Sequence, residues 1–132
     1  MSTTATRIKA IGIVVIPTND VDRAIDFYVG TLGFEKRADI PMGDAYRWVE
    51  VAPAGSSTTI AIAPPPPDSP KAGGMQTGII FHTGDVDGLH ADLKAAGVDV
   101  DDEVSRMGDP VPPMFWLRDP EANVLMIAEV TR

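Results

Sequence analysis

The chain has 132 residues, 44% of them hydrophobic and 23% charged, which suits one packed domain and excludes a disordered chain. It contains no cysteine, which excludes disulfides, thiolate zinc sites, iron–sulfur clusters and a cysteine nucleophile. The formal net charge is -8, a surface that repels phosphate backbones and favours cations, so nucleic acid is not expected as a partner.

Ile11 to Ile16 is an unbroken apolar, mostly β-branched run, the pattern of a buried strand. Asp20 follows as an N-cap, and Val21, Ala24, Ile25, Tyr28 and Leu32 recur at helical spacing until Gly33 stops the helix. Phe34 to Asp39 reads as a short strand and Met42-Gly43-Asp44 as a turn. Tyr46 to Ala52 alternates, Pro53-Ala54-Gly55 turns the chain, and Thr58 to Ala63 is a fourth strand. Pro64 to Pro67 cannot donate backbone hydrogen bonds, so residues 64–76 read as an extended Pro-rich linker, with a lid over a ligand cleft as the sharper alternative.

The series then repeats. Gly78 to Thr83 is a strand, Asp85 caps a helix carrying Val86, Leu89, Leu93 and Ala96, and Gly97 ends it. Val98 to Val100, Met114 to Arg118 and Asn123 to Val130 complete three more strands. Gly12-Ile13 matches Gly78-Ile79, Asp20-Val21-Asp22 matches Asp85-Val86-Asp87, Met42-Gly43-Asp44 matches Met107-Gly108-Asp109, and Pro53 matches Pro120. Each match lies about half the chain apart, too long a period for a solenoid. The expected organisation is one domain over 1–132, made of two modules, 8–63 and 77–130, joined by the linker 64–76. Trp48 and Trp116 each precede the Pro-containing turn, so they are expected at symmetric places. No apolar run approaches the roughly 18 residues of a membrane span. Met1 to Ala10 shows no basic segment followed by an apolar core, so a cytoplasmic protein without a membrane partner is expected.

A duplicated β-α-β-β-β module resembles the vicinal oxygen chelate superfamily of glyoxalase I, extradiol dioxygenases and bleomycin-resistance proteins. Asp20-Val21-Asp22-Arg23-Ala24 with Phe27-Tyr28 and Leu32-Gly33-Phe34 is similar to its first helix signature. Arg47-Trp48-Val49 with Pro53 and Gly55 resembles its third strand and turn. Asp119-Pro120-Glu121-Ala122-Asn123 resembles the turn before its last strand, with Ala122 where Gly is usual. The resemblance implies an α+β fold, two βαβββ modules forming a curved mixed-sheet cup with the helices outside.

In metal-using members of that superfamily, four strands each supply one ligand to the cup. Those positions fall here at Gly12 or Ile13, near Ala61, at Gly78 and at Met126, none with a hard or borderline donor. No metal site and no cofactor are therefore expected. Parity along the strands points Gly12, Val14, Thr59, Ala61, Ala63, Ile80, His82, Val124, Met126 and Ala128 into the cup. Trp48, Met114, Trp116 and Arg118 are expected on its walls. The expected ligand-binding set is Gly12, Trp48, Ala61, Gly78, Ile80, His82, Met114, Trp116, Arg118 and Met126. His82 is the best single candidate for proton transfer. His90 reads as a helix residue at the edge of the packed face, Glu129 as pointing out of the cup, and Glu50 as a solvated strand-end charge.

These residues lead to a binding protein that sequesters a small aromatic, drug-like or cationic molecule without metal, similar to the antibiotic-resistance branch of the superfamily. A homodimer is expected because open sheet edges favour pairing. The alternative is a glyoxalase-type lyase, isomerase or dioxygenase that uses rearranged metal ligands or His82 as acid/base.

Overall fold

The computed structural model describes residues 7–43, 46–65 and 72–130. The Pro-rich linker from Pro66 onward to Lys71, and Asp44 of the first Met-Gly-Asp turn, lie outside the described residues.

The first module runs β1 (Ile13–Pro17), α1 (Val21–Ile25), a π-helical continuation (Asp26–Thr31), β2 (Glu35–Pro41), β3 (Arg47–Ala52) and β4 (Thr59–Ala63). The second runs β5 (Gln76–Thr83), α2 (Val86–Ala95), β6 (Asp99–Val100), β7 (Met114–Arg118) and β8 (Val124–Glu129). Each module forms a four-stranded mixed sheet, in the orders β1-β4-β3-β2 and β5-β8-β7-β6. No strand pair joins the two sheets among the described residues. The fold is thus the expected pair of βαβββ modules.

Capping fixes where both helices begin. The Asp20 carboxylate accepts from the Arg23 amide at 3.0 Å, and Asp85 accepts from the Gly88 amide at 3.0 Å. Gly33 and Gly97 follow the helices at φ 81° and 85°, the left-handed conformation that ends a helix without a Cβ penalty. One more residue separates Asp20 from Gly33 than separates Asp85 from Gly97. The extra residue is taken up as the π-helical turn, which carries Phe27 and Tyr28 into the core.

One face of each sheet packs against helix. Val49, Val51, Ile60 and Ile62 share a buried cluster with Ala24, Phe27 and Tyr28. Phe115, Leu117, Leu125 and Ile127 share it with Val86 and Leu93. The opposite faces are open: Ile13 and Val15 are each 47% exposed and Ile80 is 52% exposed. This corrects the expected parity of the first strand. Val14 packs against the core, while Ile13 and Val15 lie on the open face. The pairings explain the shift, because β1 aligns Pro17 with Ala63 and β5 aligns His82 with Ala128. Both Pro17 and His82 lie three residues before their capping aspartate. Ile13 therefore corresponds to Gly78, and the apparent Gly12/Gly78 match is one residue out of register.

The modules are tied together by buried and half-buried polar groups. The Tyr28 hydroxyl donates to the Asp119 carboxylate at 2.8 Å, and both residues are buried. Burial, reinforced by the negative charge of Asp119, raises the Tyr28 pKa well above its ordinary value. Asp119 also accepts from the Glu121 and Asn123 amides and from the Asn123 side chain. Phe34 and Phe81 meet edge to face at 5.2 Å across the same junction.

Candidate functional site

The open face of the first sheet is built from alternate residues of its strands. The pairing of Glu50 with Ala61 sets Trp48, Glu50 and Ala52 of β3 beside Thr59, Ala61 and Ala63 of β4. Ala61 and Ala63 are fully covered by their neighbours despite this orientation. Glu50 is half-buried and held at both oxygens. One accepts the Trp48 indole N–H at 2.8 Å, the other the Thr59 hydroxyl at 2.8 Å. These bonds, the indole's first, hold the Glu50 pKa below the usual carboxylate value against the opposing effect of burial.

Glu50 is legible in the sequence as a residue on the Trp48 face, but reads there as a solvated strand-end charge. It is no strand-end charge but an ionised group fixed in the middle of the open face. The signal was present in part: Trp48 and Glu50, two apart on a strand, share a face. Thr59 could be added only once the register between β3 and β4 was known.

The open face of the second sheet carries Ile80 and His82 of β5, Val124, Met126 and Ala128 of β8, and Met114, Trp116 and Arg118 of β7. Arg118 pairs with Asp101 at 2.9 Å and lies 3.6 Å from Asp99. The His82 side chain is exposed and makes no hydrogen bond among the described residues. His90, in contrast, is anchored: its Nε2 lies 2.6 Å from the Asp101 carbonyl and its ring meets Phe115 edge to face. Glu129 lies on the helix side, as expected, and accepts from the Val86 amide at the start of α2.

The expected symmetry of the tryptophans is corrected. Ala63 corresponds to Ala128, so Ala61 corresponds to Met126. Their partners across the ladder are Glu50 and Trp116. Trp116 thus occupies the place of Glu50, and Trp48 that of Met114. The two indoles are offset by one residue pair rather than related by the module symmetry.

The remaining candidates divide between the sheets. Gly12 precedes β1, is exposed, and its carbonyl accepts from the Thr59 amide at 3.0 Å. Gly78 has φ 71° at a slip of register between Gln76 and Ile80, so it is a bulge glycine with a backbone reason for its identity. Gly78, Ile80 and His82 line a seam between the modules with Val14, Thr58 and Ile60, an open cavity of about 480 Å³. Trp48, Met114, Trp116, Arg118 and Met126 do not line that cavity.

The four metal-ligand positions can now be tested as a donor set. Ile13, Ala61, Gly78 and Met126 offer two aliphatic groups, a hydrogen and a soft thioether. That set does not fit a divalent metal of the glyoxalase type. Among the described residues, no three His, Asp or Glu side chains are grouped to hold a metal ion.

Residues 10–127 match the family model of the Glyoxalase/Bleomycin resistance protein/Dioxygenase superfamily. The chain belongs to this superfamily. Among curated proteins, it is 32% identical over 129 residues to the uncharacterized protein YetH of Bacillus subtilis (strain 168), covering 92% of this chain and 99% of that one. Among solved structures, a superfamily member from Sphaerobacter thermophilus DSM 20745 shares 33% identity at a TM-score of 0.85, covering 94% of this chain and 99% of its own. TnmS3, an antibiotic binding protein from Streptomyces sp. CB03234, shares 33% identity at a TM-score of 0.79, covering 92% and 96%. Superfamily membership accounts for the paired βαβββ modules. No helix among the described residues is long and apolar enough to cross a membrane.

Proposed function

We propose that this protein binds a planar, aromatic, drug-like molecule on its open sheet faces, without a metal and without chemical conversion. The observation that carries the proposal is the donor set at Ile13, Ala61, Gly78 and Met126, which puts apolar groups on the sheet faces where metal chemistry would need ligands. Trp48 and Trp116 supply the ring surfaces, and Ile13, Val15 and Ile80 the exposed apolar contacts. The likeness to an antibiotic binding protein supports the same reading. Sequestration needs a fitted surface and no reactive group, which agrees with an exposed His82 that no neighbour orients.

The proposal extends to a homodimer. Ile13, Val15 and Ile80 leave apolar side chains exposed on the two open faces, the kind of surface that a partner covers. A second copy lays an opposing sheet over each face and completes the clefts.

Native mass spectrometry of the purified protein with a panel of polycyclic aromatic compounds tests all three points. The expected result is a dimer of the 14.0 kDa chain that carries ring compounds and no stoichiometric divalent metal. About one Zn, Ni, Mn or Fe per chain would overturn the reading in favour of a glyoxalase-type lyase, isomerase or dioxygenase.

A further inference from the structure

We propose that Glu50 is the specificity-determining residue of the open face, selecting ligands that carry a protonated nitrogen on a planar ring. The inference rests on the ring-binding reading above and names the chemical class that the site prefers.

The first argument is electrostatic. Arg118, the charge on the other open face, is balanced by Asp101 at 2.9 Å and by Asp99 at 3.6 Å. Arg47, on the same strand as Glu50, is bound by Asp39 and Asp22. Glu50 has no basic partner among the described residues. It is nonetheless held ionised by the Trp48 and Thr59 hydrogen bonds. A half-buried carboxylate without a counter-ion gains most from a cation brought by a ligand.

The second argument is geometric. Each Glu50 oxygen accepts one hydrogen bond from the protein, and a carboxylate oxygen can accept two. The free lone pairs are fixed in direction, so a ligand N–H meets an acceptor that is already ordered. The cross-strand partners of Glu50 are Ala38 and Ala61, whose side chains offer the carboxylate neither a counter-charge nor a hydrogen bond. The Trp48 ring is tethered to the same carboxylate, so one ligand can lie against the ring and donate to Glu50.

The test uses two tricyclic probes of similar shape, 9-aminoacridine, which is cationic at neutral pH, and acridone, which is neutral. Binding is followed by calorimetry for the wild type, Glu50→Gln and Asp102→Asn. Asp102 is an exposed carboxylate, and its removal lowers the net negative charge equally. The wild type is expected to bind 9-aminoacridine about tenfold more tightly than acridone. Glu50→Gln should remove that preference and leave acridone within about twofold of its wild-type affinity. Asp102→Asn should keep the preference. Equal affinities for the two probes in the wild type, or a preference that survives Glu50→Gln, would overturn the role of Glu50 while leaving ring binding intact. A parallel loss of both probes in folded Glu50→Gln would assign Glu50 a purely structural role and overturn the inference as well. Failure of the wild type to bind either probe would overturn the ring-binding reading itself, and this inference with it.

Discussion

The two modules share a fold and differ in how they finish their helices and furnish their open faces. In the second module, Glu129 of β8 accepts from the Val86 amide, so the start of α2 is satisfied within the module. The corresponding residue after β4 is Pro64, which has no such group. The first module borrows instead from the second. Glu121 accepts from the Asn19 amide at 2.8 Å, the Asn19 side chain at 3.0 Å, the Asp20 amide at 3.3 Å and the Thr18 hydroxyl. A carboxylate at a helix start is favoured by the exposed amides and the helix dipole. Tyr28 makes the same kind of link, reaching Asp119 across the junction. The open faces show a complementary difference, because Glu50 stands in the first sheet where Trp116 stands in the second. The paired modules thus supply the scaffold twice, whereas the junction and the proposed ligand chemistry come from positions where the two modules differ.

The strongest way to break the first module's dependence on the second is Asp119→Ala. It leaves the buried Tyr28 hydroxyl and the Asn123 side chain without their acceptor. Chemical denaturation should show a loss of about 3 kcal/mol or more, since each buried unsatisfied group costs roughly 1–3 kcal/mol. Tyr28 adds a pH dependence of known sign. Its pKa is raised on folding from the ordinary 10.0, so its stabilising effect is complete below pH 10 and declines as pH rises above it. Tyr28→Phe should show a shallower alkaline loss of stability than the wild type. Parallel alkaline curves for the two proteins would contradict the buried Tyr28–Asp119 bond.

The carboxylate caps give the next largest effect and the most direct comparison. Glu121→Ala removes an acceptor shared by several donors, and an expected cost of about 2 kcal/mol follows from charge-assisted bonds of this kind. Glu129→Ala removes one amide partner and should cost about 0.5–1 kcal/mol. Equal losses in thermal melts would mean that the first helix does not lean on the other module.

The open faces can be compared through their indoles. Trp116 stands where Glu50 does and its ring N–H is unbonded among the described residues, whereas the Trp48 N–H is committed to Glu50. Trp116→Ala should weaken acridone binding by about 1 kcal/mol, near fivefold, through lost ring contact alone. Trp48→Ala should cost a similar amount for acridone and more for 9-aminoacridine, because it also frees the Glu50 carboxylate. Unchanged affinities in both folded variants would make the tryptophans packing residues.

The fold was largely legible in the sequence because its signals are local. Capping aspartates, terminating glycines and strand periodicity act within a few residues, and they placed both helices and nearly every strand. Even the π-helical turn is visible as one extra residue between Asp20 and Gly33. The site was less legible because it depends on register. A single coincidental match, Gly12 with Gly78, shifted the parity of β1, since a one-residue slip exchanges the two faces of a strand. The tryptophans seemed symmetric only because each stands before a proline, yet the ladders align Glu50 with Trp116. Glu121 reaches Thr18 across a sequence separation of 103 residues, a contact that no local pattern encodes.

The smallest expected effect concerns a turn in which the modules again differ. The first module turns through Gly55 at φ 83°, whereas the second passes through Ala122 at φ 63°. A left-handed backbone crowds the Cβ of any L-residue and costs roughly 1–2 kcal/mol. Ala122 holds this conformation because its neighbours fix it. Its amide donates to the Asp119 carbonyl at 2.9 Å, while the Glu121 and Asn123 amides on either side donate to the Asp119 carboxylate. Ala122→Gly removes the Cβ strain but gives the unfolded chain more freedom, an opposing cost of roughly 0.5–1 kcal/mol. The strain relief is the larger of the two, so a net gain of about 0.5 kcal/mol is expected, read as a small rise in melting temperature. The same substitution in an Asp119→Ala background should gain less, because without the carboxylate the turn can relax from its left-handed geometry. An equal gain in both backgrounds would show that the turn is held by the chain itself rather than by Asp119.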